Sequence, residues 1–375
     1  MQNFNLIDHP WIPVRWKSTT ADNPPLVSLH DAFVRGEEIA DLDCLPQERI
    51  SIIRLLVCIT HATIGAPATP DGWNSFGDNL AQEATDYLER DDIHPHFDLL
   101  GDGPRFLQED VPEKGEPVPT SKLISSLATG NNPTLLDHHG MSSSRDYDPA
   151  TIARALLTFQ NFYPLYGAGY KGKGPCCESN AIHSILIGKQ LQETILLNCI
   201  DLQTISTTGC KTLGNPSWEA QTKAESITST TTILGRLSPR HRSLKLTSDL
   251  SGFYHRKESL QYPGWEPFRE ASVTTFIDQK DNRRILPARV SRGIWRDLHI
   301  ITLLNQNHDG TSPVLQSHEQ EFDDEQCTIW SGALVTDLKA KILNTVESTF
   351  TLPLREALNK LVFSEGVEER GDIPA

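Results

Sequence analysis

No run of eighteen apolar residues occurs in this 375-residue chain, which excludes a membrane-spanning helix. Met1-Gln2-Asn3-Phe4 supplies neither a basic stretch nor an apolar one, so no secretory leader is expected. There is no C-x-x-C. Seven cysteines without regular spacing, two of them adjacent as Cys176-Cys177, argue against a structural zinc site. They point instead to a reducing, cytoplasmic setting. The phosphate loop G-x-x-x-x-G-K-[ST], the metalloprotease H-E-x-x-H and the esterase G-x-S-x-G are all missing, and no internal repeat is present. With 38% hydrophobic and 22% charged residues, what remains is a soluble globular chain long enough for one large or two ordinary domains.

Glycine is concentrated in one place, Tyr166-Gly167-Ala168-Gly169-Tyr170-Lys171-Gly172-Lys173-Gly174-Pro175. Such a loop has the backbone freedom to lie against a phosphate backbone or enter a narrow groove, and it carries two lysines and no acid. A mobile surface turn reads the same way. The net charge of −15 argues at first against nucleic acid, but the charges are segregated. Acids gather in Glu37 to Glu48, Glu83 to Glu116, Glu319 to Glu325 and Glu365 to Asp372. Bases gather in the glycine loop, in a window holding Arg236, Arg240, Arg242, Lys245, Arg256 and Lys257, and in Arg283, Arg284, Arg289, Arg292 and Arg296. An acidic body with basic stripes fits a protein that touches nucleic acid on one face; a solvated charged face is the alternative for each cluster.

Hydrophobic spacing predicts buried helices over Pro46 to Ile64 and Pro149 to Phe162, the second running straight into the glycine loop. A further helix is expected over Trp73 to Leu88, another over Val290 to Leu304, and a last amphipathic one over Leu354 to Val362. Thr194 to Ile200 and Ser272 to Ile277 read as short buried strands, and Ala333 to Val346 opens strand-like. The class is α+β with irregular connections. A mixed domain spans 1–352, with a division into two lobes near 165–190, and 353–375 forms a terminal helix and acidic tail.

Several segments together resemble the large subunit of type I-E CRISPR Cascade surveillance complexes, the CasA family. They are Phe4 to Arg15 (N-L-I-D-x-x-W-I-P-V-R), Leu55 to Pro67, Asn132 to His139 (N-P-T-L-L-D-H-H), the glycine loop, Leu196-Leu197-Asn198, and Ser291 to Leu298 (S-R-G-I-W-R-D-L). The resemblance implies an irregular mixed N-terminal domain without the family's usual C-terminal four-helix bundle, since the chain stops after about one helix. It also implies a role in antiviral defence. The family binds duplex DNA beside the target, reads the protospacer-adjacent motif (PAM) largely from the minor groove, and helps open the strands for guide pairing and R-loop formation. The implied partners are double-stranded target DNA, a crRNA-containing complex of backbone, small, guide-end-capping and crRNA-processing subunits, and a helicase–nuclease or a nuclease domain fused to another subunit.

By the same resemblance the PAM-reading loop falls on Gly167, Ala168 and Gly169, with Lys171 and Lys173 beside it, and the minor-groove lysine on Lys257. The strand-splitting wedge, glutamine and asparagine in the best-known members, falls near Thr336 and Asp337, so its residue types differ. The guide-proximal loop is Leu135, Leu136, Asp137 and His138. A minor groove offers acceptors and one donor, which a lysine and backbone groups read degenerately.

Asp137-His138-His139 is the one cluster that suggests a metal-dependent hydrolase, but adjacent histidines in an extended segment face opposite ways. A loop contact is the preferred reading, with no enzyme activity, metal or cofactor expected. An architectural subunit without DNA readout is the remaining alternative. His9, His61 and His183 read as core or surface histidines, and Trp295 as a packing anchor in preference to a base-stacking platform.

Overall fold

The computed structural model describes residues 4–18, 23–68, 70–124, 147–162, 174–264, 267–302, 311–318, 326–337 and 342–353. Its spine is a helix apolar around nearly its whole circumference, a pattern that demands burial on all sides. In chain order, strand β1 (Ile12–Trp16) pairs antiparallel with β2 (Leu26–Val27) and with β3 (Ile39–Leu42), and α1 (Leu29–Val34) lies between the last two in sequence. Then comes the spine, α2 (Pro46–Ile64), with the bounds expected from sequence. Proline opens it, Glu48 accepts the Leu45 N–H at 3.2 Å, and Gly65 at φ 77° closes it. Helix α3 (Leu80–Leu88) and the two-residue β4 (Val118–Pro119) precede α4 (Pro149–Phe162), again with the expected bounds.

The second half alternates short elements: β5 (His183–Ile187), α5 (Leu191–Leu197), β6 (Arg242–Leu246), β7 (Gly252–Ser259), β8 (Thr275–Ile277), β9 (Arg283–Ile285), β10 (Gln326–Thr336) and β11 (Ile342–Pro353). Three small sheets, β2-β1-β3, β11-β10-β5 and β4-β7-β6, and the hairpin β8-β9 surround the helices, and every pairing is antiparallel. This is the mixed α+β class expected. One buried apolar cluster of described residues runs from Leu6 through α2 and α4 to Val335.

Four sequence expectations need correction. Thr194 to Ile200 is helical, not a strand: Leu191 and Ile195 bury one helical face, and Asn198 closes it by donating to the Thr194 and Leu186 carbonyls at 2.7 Å each. A short apolar run has no period with which to separate the two. The helix expected from Trp73 breaks at Gly77, whose φ of 91° and missing Cβ admit the Leu196 side chain; only Leu80 to Leu88 is α-helical. Of Val290 to Leu304, the residues described, up to Thr302, form only the single turns Ile294–Asp297 and Leu298–Ile301. Of Ala333 to Val346, residues 333–336 are strand in β10 and 342–346 in β11, paired antiparallel, and of Ser272 to Ile277 only Thr275–Ile277 is strand. The terminal helix and tail, 354–375, lie outside the described residues. No helix among the described residues is long and apolar enough to cross a membrane.

Candidate nucleic-acid interface

Residues 163–173, with Gly167, Ala168, Gly169, Lys171 and Lys173, lie outside the described residues, as do Leu135, Leu136, Asp137 and His138. The stem from which the glycine loop leaves is described in full. Helix α4 delivers Asn161 and Phe162, and the chain returns at Gly174 and Cys176 directly against them: the Cys176 N–H donates to the Asn161 carbonyl at 3.1 Å. A Cβ on Gly174 would overlap that same carbonyl oxygen, so the two legs approach as closely as only glycine permits. Gly174→Ala is therefore expected to lower stability by about 1–3 kcal/mol through overpacking at the stem. Urea unfolding of the variant beside the parent measures it, and an unchanged midpoint would mean that the legs separate freely.

Below the stem sits a buried charged triad. Arg54 of α2 donates from Nε to Asn161 Oδ1 at 3.0 Å and from Nη2 to Glu270 Oε2 at 3.0 Å. Glu270 Oε1 accepts from Arg236 Nε at 2.6 Å, and all three side chains are under 10% exposed. Burial pushes the Glu270 carboxyl up, but the two guanidiniums outweigh it and hold it below the usual carboxylate range. A cavity of about 240 Å³ adjoins the triad, lined among others by Gly174, Pro175, Tyr262 and Phe268. Arg236 therefore does not belong to a basic surface, and neither does Arg242, which is 3% exposed. The second basic window is only partly a surface feature. Lys245 is also taken up, by Glu113 at 2.8 Å and Asp110 at 3.4 Å.

Lys257 is exposed, and the sheet register explains how it comes to lie near the stem. Gln160, one residue before Asn161, accepts the Arg242 N–H at 2.7 Å and donates to the Arg242 carbonyl at 2.9 Å. Arg242 pairs with Ser259 and Leu244 with His255, so Ser243 alone faces Arg256, Lys257 and Glu258. The surplus residues form a bulge, a device that turns side chains out of the regular pleat. Lys257 is carried on that bulge, beside the end of α4, with no acidic partner among the described residues.

The wedge positions divide. Thr336 is 3% exposed and structural: its hydroxyl donates to Asn180 Oδ1 at 2.9 Å, its N–H to the same oxygen at 3.0 Å, and Asn180 returns a bond to its carbonyl. Asp337 follows it into solvent at the tip of β10. His61 and His183 are core histidines, 1% and 0% exposed. Trp295 departs from expectation, because it is 62% exposed and Ile294, at 2%, is the anchor. Sequence reasoning passed over Gln160, Asn161, Asn180 and Glu270 altogether. Each works through a partner between 82 and 216 positions away, so no local signal marks it. No cluster of three metal-ligating side chains occurs among the described residues.

The family model for CRISPR-associated protein Cse1 matches residues 5–369. The CRISPR-associated protein CasA/Cse1 of Thermus thermophilus is 29% identical over 381 residues, covering 94% of this chain and 72% of that protein. Among solved structures, Thermus thermophilus CasA (Cse1) superposes with a TM-score of 0.71 at 24% identity, over 98% of this chain and 78% of its own. Thermobifida fusca Cse1 gives 0.73 at 19%, over 97% and 78%. A chain of a CRISPR RNA-guided surveillance complex gives 0.70 at 18%, over 96% and 78%. With nearly the whole chain matched in sequence and in fold, this protein belongs to the CRISPR-associated Cse1 family, the CasA-type large subunits of Cascade.

Proposed function

We propose that this chain, as the large subunit of a crRNA-guided complex, reads a PAM-bearing duplex from the minor groove with the glycine loop and Lys257, and promotes strand separation. The observation that carries this reading is the convergence of the loop's stem and the Lys257 bulge at one end of α4. Two features that lie some ninety residues apart in sequence then meet one groove together. The role is binding and not catalysis. Guide RNA and the other Cascade subunits supply the sequence match, and cutting falls to a separate helicase–nuclease or a nuclease fused elsewhere. Within the wedge, exposed Asp337 is the part able to reach DNA, with Thr336 holding the strand end behind it.

Lys257→Ala is expected to weaken binding of a PAM-bearing duplex by the assembled complex by about 5- to 150-fold, the worth of one groove contact of about 1–3 kcal/mol. A gel shift at moderate salt measures it, with melting of the isolated variant confirming the fold. Unchanged affinity would remove Lys257 from the interface. A complex without this chain that binds equally well would favour the architectural alternative.

A further inference from the structure

The third basic window has a surface of its own. From Asp278 to His299 the sequence holds six cations against three acids, a local excess of three in a chain of net charge −15. Two of the acids are committed. Asp278 accepts from Arg284 at 3.0 Å, and Asp297 accepts from Arg292 at 2.6 and 3.1 Å. Lys280, Arg289 and Arg296 have no acidic partner among the described residues. Between these cations stands Trp295, 62% exposed, with Val290 at 54%.

The indole is displayed on a firm base. Ile294 roots the turn in the core, the Arg292–Asp297 pair closes it, and Arg289 bridges to Arg292. A Cβ on Gly293 would meet the indole Nε1 at 2.7 Å, so the ring edge rests on bare backbone. The Arg296 guanidinium lies 5.1 Å from the ring centroid, within range of a cation–π contact that orients both groups. An aromatic ring held out among unpaired cations is the combination that stacks bases while following a phosphate backbone, and a duplex with its bases already stacked cannot use it.

We propose that Trp295, with Arg289 and Arg296, forms a docking site for single-stranded nucleic acid. The site uses none of the residues assigned to duplex reading and does not depend on Lys257. The partner is specified by charge and by stacking together: an acidic protein segment would use the arginines and leave the indole idle.

The test uses the full chain and an iodouracil-bearing oligothymidylate, irradiated, digested and mapped by mass spectrometry, with anisotropy for affinity. The adduct is expected on the peptide that carries Trp295. Trp295→Ala should lose it and bind about 5- to 150-fold more weakly, as expected for one lost stack. Trp295→Phe should keep most of the affinity, which separates stacking from any folding defect. Arg289→Ala with Arg296→Ala should lower the salt slope by about 1.4, two contacts on a single strand. Lys257→Ala should leave the adduct in place, so failure of the duplex reading and failure of this site are told apart. Absence of binding by the parent chain would overturn the proposal, and so would an adduct mapped elsewhere. Sensitivity to the arginines with none to Trp295→Ala would overturn it too, in favour of an acidic protein partner.

Discussion

Replacing Glu270 by glutamine is expected to lower the unfolding free energy by about 3–5 kcal/mol, the cost of breaking a buried ion pair from one side. Glu270 is the only acid that Arg54 and Arg236 touch in the described structure, and both guanidiniums are almost fully buried. Glutamine fills the same volume but leaves two cations facing each other without a counter-charge. The triad as a whole need not be strongly stabilising, since desolvating three ions offsets much of their attraction; removal of one partner is what costs. Urea unfolding gives the number directly. A loss below about 1 kcal/mol would mean that water enters the adjoining cavity and solvates the arginines. Because Arg54 also holds Asn161, a milder Glu270→Asp variant that folds should still loosen the loop stem. Faster hydrogen exchange at Cys176, whose N–H is bonded to Asn161, would report it.

Acidification is the second large effect. Burial pushes His61 and His183 down to about 4 from their usual 6.5, with nearby Arg54 adding to the effect at His183. Burial and the neighbouring Arg242 push His241 down to about 3. Geometry agrees for His61: Nδ1–H donates to the Gly65 carbonyl at 2.7 Å and Nε2 accepts the Ile200 N–H at 3.2 Å, so both nitrogens of the neutral ring are used. These histidines stay neutral in the folded chain and take up protons on unfolding below about 6.5. Stability therefore falls as pH falls, by about 1.4 kcal/mol per pH unit for each histidine, or about 4 with all three engaged. Glu270 acts in the same direction but lower. Its folded pKa is depressed, so its contribution is present above the normal carboxylate range and lost as pH falls through the folded value. Melting midpoints between pH 7 and pH 4.5 should fall steeply, and a flat profile would show that the rings are protonated in place.

How much of this was legible beforehand depended on how local the cause was. The limits of α2 and α4 were readable because a long apolar period, an opening proline and a closing Gly65 all act within one segment. The strand expected at Thr194 to Ile200 failed for want of length. Seven apolar-rich residues fit either period, and Asn198, bonding back to Leu186, decided for helix. The basic windows failed differently, because a charge count cannot see depth. Arg236 and Arg242 are as cationic in sequence as Arg289, yet two are buried and one is exposed.

Trp295 was misread for the same reason. An aromatic between arginines packs or protrudes according to which neighbour the turn sends inward, and here that neighbour is Ile294. The sequence by itself determined the α+β class, the two long helices and the family, since these rest on short-range patterns and ordered motifs. Only the tertiary structure decided that Lys257 rides a bulge beside the loop stem, that Glu270 binds two arginines beneath it, and that Trp295 faces water. Those outcomes come from pairings across tens to hundreds of residues, where register and burial are settled by the packing of the whole chain and by no single stretch of it.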